Sequence, residues 1–458
     1  MNKYNVLLLT IDTLRTDKLG CYSHPAPPTP NINRLATSGI LFKQAITCGS
    51  WTQAAFPGLL TSSYASMYGG CLGRLAPERP SPIETLTRNG YITGGFSTNP
   101  HLSKATGYDR GFHHFIDLVP DQEDPSLRRF RGGQRILRSP LTHYMLWPLG
   151  NRMRPVKPYT SASEVTETAR QWLDTVEPPF FGWIHYMDLH WPNHINETLT
   201  TPSDIARAWQ DLGIMHRRSN FKRKQPLNLS QINRFIRLYE LALQELDVHI
   251  GKLLDHLEKL GYGSDTIILL TSDHGEEFLD HGRWGHKESN LFDEIIKVPL
   301  IIKHPGWTDG MIIPNQVRLL DIMPTILDLC GCPPSNDLEG ISLVPLWSDN
   351  GTQYCILEAI SEMPRGDWHR IALRTENIKY IWDNQHPDRP ELYDLESDPG
   401  ETQNIETSNQ YSSEIYQFET IINQHLDRID KTKPVDSIPA LDLDEKMIKR
   451  LRDLGYVE

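Results

Sequence analysis

No run of about eighteen apolar residues occurs anywhere in the 458-residue chain, which argues against a membrane-spanning helix. The opening MNKYNVLLLTID enters an apolar run of only about six residues with no small-residue cleavage site behind it, so it reads as neither a signal peptide nor a span. Cysteine is scarce as well. The six cysteines, Cys21, Cys48, Cys71, Cys330, Cys332 and Cys355, show no metal-binding spacing, and a single glycine separates Cys330 from Cys332 at the end of an apolar helical pattern. Free thiols in a cytoplasmic enzyme are the expectation. Positive charge is in deficit, 46 Lys and Arg against 58 Asp and Glu, for a net charge of −12. The chain is therefore no general polyanion binder and nucleic acid is not an expected partner; any attraction for phosphate or sulfate must be local. Internal repeats and low-complexity stretches are absent, and nothing in the sequence fixes an oligomeric state.

What is present is an ordinary globular composition, 38% hydrophobic and 23% charged, in a chain too long for one compact core. Residues 5 to 11 form a continuous Leu-rich run, the pattern of a strand buried on both faces of a parallel sheet. Similar runs recur at 91 to 98, 180 to 187, 266 to 273 and 298 to 303, with helical patterns at 164 to 176 and 238 to 261 between them. This alternation predicts a large α/β sandwich around a mostly parallel sheet. Beyond about residue 335 the text shifts to short strand candidates at 354 to 360, 369 to 375 and 379 to 384, then an amphipathic helix near 443 to 454. The expected organisation is a catalytic domain over 1–334 and a small C-terminal subdomain over 335–458 with an antiparallel sheet and helix. Basic segments at about 120–160 and 195–230 read as surface insertions or as a lid that steers an anionic substrate.

Polar residues stand at the carboxyl ends of the strand candidates: Asp12, then Asp188 and His190, then Asp273 and His274. In open α/β sheets that edge carries ligand sites, whereas a lone polar residue there often only caps a helix. Asp12, Asp273 and His274 together offer hard-oxygen and imidazole ligands for one divalent metal, of which Mn, Zn, Ca and Mg are all candidates. A hydroxyl beside such a metal loses its proton readily and becomes a nucleophile.

Four stretches, TIDTLRTDKLGCYS, TSDHGEEFLDHGRWGH, VRLLDIMPTILDLCGC and ELYDLESDPGETQNI, resemble the sulfatase family of the alkaline phosphatase superfamily, in that family's order and across nearly the whole chain. In that family the nucleophile opens a Cys-or-Ser, x, Pro, x, Arg segment running into Leu-Thr-Gly. The matching TQAAFPGLLTS places Thr52 at the nucleophile position, and Thr cannot be converted to formylglycine. The activating Arg is replaced by Phe56, the Gly-Lys-Trp-His segment by Ser97, Thr98, Asn99 and Pro100, and the second of two N-terminal aspartates by Thr13. The resemblance implies a metal set of Asp12, Thr52, Asp273 and His274, similar to phosphoryl-transfer branches that use Thr. It also implies His190 or His286 as the proton donor to the leaving group, and Lys287, His281 and Asn99 as residues lining the anion site. Glu276 and Glu277 are expected near the start of a helix, where its dipole favours carboxylates.

The expected activity is metal-dependent hydrolysis of an anionic ester through Thr52. Phosphate esters, phosphodiesters or phosphonates are favoured over sulfates, because a Thr ester cannot expel sulfate as a formylglycine hemiacetal does. The rival readings are a true sulfatase using Thr52, a phosphoglycerol-type transferase, and an inactive binder of anionic glycans.

Overall fold

The computed structural model describes residues 3–118, 141, 155, 157–193, 201–219, 226–286, 290–305, 307, 309–333, 337–348, 357–406 and 409–433. Eight strands, β1 (Asn5–Ile11), β2 (Ile40–Ile46), β3 (Ile92–Ser97), β4 (His114–Asp117), β5 (Phe180–Tyr186), β6 (Thr266–Ser272), β7 (Lys297–Lys303) and β8 (Met311–Arg318), form one sheet. Its order is β4-β3-β5-β1-β6-β7-β2-β8. From β4 to β6 every neighbour is parallel; β7 alone runs against both of its neighbours, and β2 pairs in parallel with β8. The expected mostly parallel sheet is therefore present. A second sheet of β9 (Ala359–Arg365), β10 (Trp368–Arg374), β11 (Ile378–Asp383) and β12 (Glu391–Asp394) is antiparallel throughout.

The helices are α1 (Pro30–Thr37), α2 (Thr52–Thr61), α3 (Pro82–Arg88), α4 (Ala162–Leu173), α5 (Pro202–Ser219), α6 (Leu229–Lys259), α7 (Asp293–Ile296), α8 (Ile322–Leu329) and α9 (Ser412–Lys431). Side chains alternate across a strand, so β1 feeds two cores. Val6 and Leu8 pack with Phe56, Leu59, Ile83 and Ile322 of α2, α3 and α8. Leu7, Leu9 and Ile11 pack with Leu35, Val165, Leu243 and Ile250 of α1, α4 and α6. Every residue of β1, β5 and β6 is buried, which accounts for their unbroken apolar text. Gly94 and Gly182 let the Trp172 ring lie directly on the sheet, since a Cβ at Gly94 would stand 2.7 Å from that ring. Capping boxes at Ser161 and Glu164 and at Asn228 and Gln231 fix where α4 and α6 begin.

The second sheet shares a core with α9 and with the loop after α2, through Ile360, Ile371, Leu373, Phe418, Ile422, Tyr64 and Met67. Within that contact the fully buried Glu362 takes His425 Nε2 at 2.8 Å and the Ser66 backbone N–H at 3.0 Å. Burial opposes its charge, but His369 and His425 hold its carboxyl well below the usual range.

Three expectations need adjustment. Of the strand expected at 354 to 360, residues 354–356 lie outside the described residues and β9 begins at Ala359; the helix α9 stands where no helix was expected. Residues 276 to 283 form a tight loop closed by a bridge between Phe278 and Trp284, so Glu276 and Glu277 begin no helix. The basic segment at 120–160 lies largely outside the described residues, as does all of 443 to 454, whereas the segment at 195–230 holds α5 and the start of α6, with 195–200 and 220–225 outside the described residues.

Candidate active site and metal centre

The carboxyl ends of β1 and β6 lie side by side, pairing Ile11 with Ser272, so the next residues, Asp12, Asp273 and His274, meet at the sheet edge. One ligand atom from each lies within 4.8 Å of the others, and all three side chains are fully buried. Thr52 is the first residue of α2, where backbone N–H groups have no helical partner and attract anions. Its Oγ1 stands 3.5 Å from Asp12 Oδ2. Asn99, just past β3, brings its Nδ2 to 3.2 Å from Asp12 Oδ2 and 3.5 Å from Thr52 Oγ1. The amide thus tethers Asp12 and Thr52 together.

Burial opposes a charge on Asp12, but the imidazoles of His185, His190 and His274 outweigh it and hold the carboxyl well below the usual range. Asp273 goes the other way, pushed up to about 6 by burial and by the charge of Asp12. Burial would lower His274, yet the two aspartates raise it above the ordinary imidazole value. Two buried carboxylates competing for one proton are what a divalent cation would relieve. The donor set fits such an ion, since Asp12 Oδ1, Asp273 Oδ2 and His274 Nε2 are buried without a hydrogen-bond partner among the described residues.

His286 packs its ring 4.4 Å from that of His274 and 5.3 Å from that of His190, measured between centroids. Its Nδ1 lies 3.2 Å from Glu276 Oε2, which orients the ring. His190 Nδ1 lies 2.7 Å from the Trp191 carbonyl. Thr52, Asn99, His190 and His286 therefore gather around the cluster of Asp12, Asp273 and His274. His281 does not. Its Nδ1 is 2.9 Å from Glu294 Oε1, its Nε2 3.1 Å from the Gly400 carbonyl, and its ring stacks on Phe292 at 3.7 Å, so it ties the loop to the second sheet and is removed from the candidate anion site. Lys287 lies outside the described residues.

His185 was not anticipated. It is fully buried in β5, with Nδ1 2.9 Å from Thr10 Oγ1 and Nε2 3.7 Å from Asp12 Oδ2. The only sequence signal is an imidazole in an otherwise apolar strand beside β1. Phe56, one turn after Thr52, lays its ring 5.0 Å from His185 and 5.6 Å from Trp183, so the place of a charged side chain is filled with hydrocarbon.

Residues 4–332 match the sulfatase family, and residues 280–428 match the C-terminal region of N-sulphoglucosamine sulphohydrolase. An arylsulfatase of Clostridium perfringens is 24% identical over 479 residues, spanning 93% of this chain and 95% of the relative. An N-acetylglucosamine-6-O-sulfatase of Bacteroides thetaiotaomicron is 29% identical over 492 residues, spanning 89% and 83%. The solved phosphonate monoester hydrolase of Agrobacterium radiobacter superposes with a TM-score of 0.71 at 20% identity, covering 93% of this chain and 96% of that one.

Proposed function

The chain belongs to the sulfatase family and is a sulfatase-like ester hydrolase, and on that premise we propose that it is metal-dependent and cleaves a phosphoester, phosphodiester or phosphonate ester with Thr52 as nucleophile. The observation that carries this reading is the position of Thr52 Oγ1, at the start of α2, 3.5 Å from the oxygen of Asp12 that Asn99 also holds.

Asp12, Asp273 and His274 would hold the metal, with the Thr52 hydroxyl beside them. A divalent cation bound there supplies neutralising charge to the ester oxygens and acidifies an adjacent hydroxyl. The residues of the chain do the rest. Asn99 fixes Thr52 against Asp12, so that Oγ1 faces the substrate in one orientation. The N–H groups at the start of α2 stabilise charge on the non-bridging oxygens as attack proceeds. One of two histidines supplies the proton to the leaving oxygen: His286, oriented by Glu276 and packed beside His274, or His190, anchored at Trp191 and packed beside His286. The resulting Thr ester is an ordinary ester that needs water for release, which favours phosphorus over sulfur. With Phe56 against His185, the site has no guanidinium one turn after the nucleophile. The five described cysteines are all free thiols, which supports a reducing compartment.

The test is a hydrolysis panel of the protein and Thr52→Ala on aryl phosphate, aryl phosphodiester, aryl phosphonate and aryl sulfate esters, each with Mn, Zn, Ca and Mg. Turnover of a phosphorus ester that disappears in the variant is expected. Turnover of aryl sulfate alone would return the protein to the sulfate-cleaving reading, and activity that survives the substitution would remove Thr52 as nucleophile.

A further inference from the structure

The chain that carries His190 is irregular, since β5 ends at Tyr186. The His190 N–H donates back to the Met187 carbonyl at 2.9 Å and closes one tight turn. The contact of His190 Nδ1 with the Trp191 carbonyl orients the ring against its own neighbour, but it does not fix where the turn sits in the molecule. That position is set from outside. Three carbonyls of the turn converge on one phenol, the Tyr159 O–H lying 2.8 Å from the Pro192 oxygen, 2.9 Å from the His190 oxygen and 3.5 Å from the Asp188 oxygen. Tyr159, Asp188, His190 and Pro192 are all buried. A phenol has a single proton, so the two nearer carbonyls share it, and without it their dipoles would face one another in the interior with no donor between them. Burial, and then the charges of Asp188, Asp12 and Glu245, push the phenol well above its ordinary value, so the proton stays in place.

The next residue reaches the other flank of the site. The Thr160 N–H donates to Thr98 Oγ1 at 2.6 Å. Thr98 precedes Asn99, whose Oδ1 accepts the His101 N–H at 2.9 Å and so turns Nδ2 toward Asp12. Tyr159 and Thr160 thus bridge the segments that leave β5 and β3, which are neighbours in the sheet. Their own footing is rigid. Ser161 caps α4 directly behind them, and α4 lays Trp172 on Gly94 of β3 and Gly182 of β5, so the clasp is fixed by the two strands whose ends it joins. Lys157 adds a charged contact, with Nζ 3.5 Å from Asp188 Oδ1 and 5.4 Å from the centre of the Tyr159 ring. Resting on the reading of His190 as proton donor to the leaving oxygen, we propose that Tyr159 is a positioning residue of the reaction: its hydroxyl holds the His190 turn against the Asn99 flank and sets where that imidazole meets the leaving group. Tyr159 acts through His190 and not on the reacting atoms.

The experiment compares the protein, Tyr159→Phe, His190→Ala and the double variant on a phenyl and a nitrophenyl ester of whichever acid the protein cleaves. Nitrophenolate leaves unaided, whereas phenolate needs the proton. Tyr159→Phe is expected to lower kcat/KM by ~10- to 100-fold on the phenyl ester and by less than ~3-fold on the nitrophenyl ester. In the His190→Ala background the same substitution is expected to cost less than ~3-fold on either ester, because the residue it acts through is gone. Equal losses on the two esters, nil included, overturn the proposal, and so does a full loss repeated without His190. The NMR spectrum of protein with labelled histidine rings needs no turnover. Its His190 signal, assigned by disappearance in His190→Ala, is expected to shift in Tyr159→Phe while the signal of His425, bonded to Glu362 under the second sheet, stays in place and shows that the variant is folded. An unmoved His190 signal overturns the proposal even in a protein inert to every ester. Turnover confined to aryl sulfate, or turnover that survives Thr52→Ala, sinks the function proposed above and leaves this comparison readable.

Discussion

Asn99 Nδ2 lies 3.2 Å from Asp12 Oδ2, joining the second residue after β3 to the residue after β1 across the intervening strand β5. Removing that amide leaves Asp12 Oδ2 buried with one fewer donor and frees the Thr52 hydroxyl to turn. Asn99→Ala is expected to lower kcat by ~10- to 100-fold and to weaken metal binding by a comparable factor, with KM little changed. Unchanged kcat in a folded variant, measured under metal saturation, would dismiss Asn99 as a positioning residue.

Phe56 is fully buried against Trp183, His185 and Tyr108. Phe56→Ala should cost about 3–5 kcal/mol in urea unfolding through the cavity it leaves. Phe56→Arg, which restores the charge the family motif carries, buries a guanidinium in an aromatic nest, so lower stability and no gain in aryl sulfate turnover are expected. A stable arginine variant with new sulfatase activity would mean that the nest opens to the site.

Gly275 follows His274 directly, and a Cβ there would stand 2.0 Å from the Glu294 carbonyl. Backbone cannot yield as a flexible side chain does, and the Gly275 N–H is bonded to the Ile295 carbonyl at 2.8 Å. Gly275→Ala should therefore displace the loop carrying Glu276 and His286, lowering both melting temperature and kcat. A variant that melts and turns over like the parent would show that α7 slides freely.

His281 gives the protein a pH signature away from the cluster of Asp12, Asp273 and His274. Burial would lower its pKa, but Glu294 and Glu401 outweigh that and push it up to about 9 from an ordinary 6.5. The folded state thus prefers the charged ring. Its stabilising contribution is complete below about pH 6.5 and fades as the pH rises through 9. Melting temperatures of the protein and of His281→Gln should converge across that window, the protein losing its lead as the pH rises. Parallel curves from pH 6 to 9.5 would contradict the assignment.

How much of this was legible follows from which residues speak through local pattern. β1, β5 and β6 are buried on both faces, and their uninterrupted apolar text located them to within a residue or two, with Asp12, Asp273 and His274 following at their ends. Thr52 came from motif spacing, since a hydroxyl at a helix start usually only caps that helix. His185 stayed hidden because its role depends on which strand lies beside β1, a fact of sheet order absent from local sequence. Glu276 and Glu277 were misplaced because acidic residues after a strand favour a helix start, whereas here Glu276 meets His286, and Glu277 receives the His281 and Arg283 N–H groups and the Asn290 amide. The helix α9 was overlooked although its buried residues Phe418, Ile422 and His425 keep helical spacing, because polar residues dominate the segment around them.

β1 sits between two strands that the ribosome delivers much later. Phe180 beside Asn5 comes 175 residues on, and Ser272 beside Ile11 comes 261 residues on. At about 5–20 residues per second, the stretch NVLLLTI waits roughly ten to fifty seconds for both flanks to exist. An exposed strand of that composition is an adhesive segment for as long as it waits. Cellular yield of this enzyme should thus respond to holdase chaperones and slower growth temperature more than to any single contact in the finished fold.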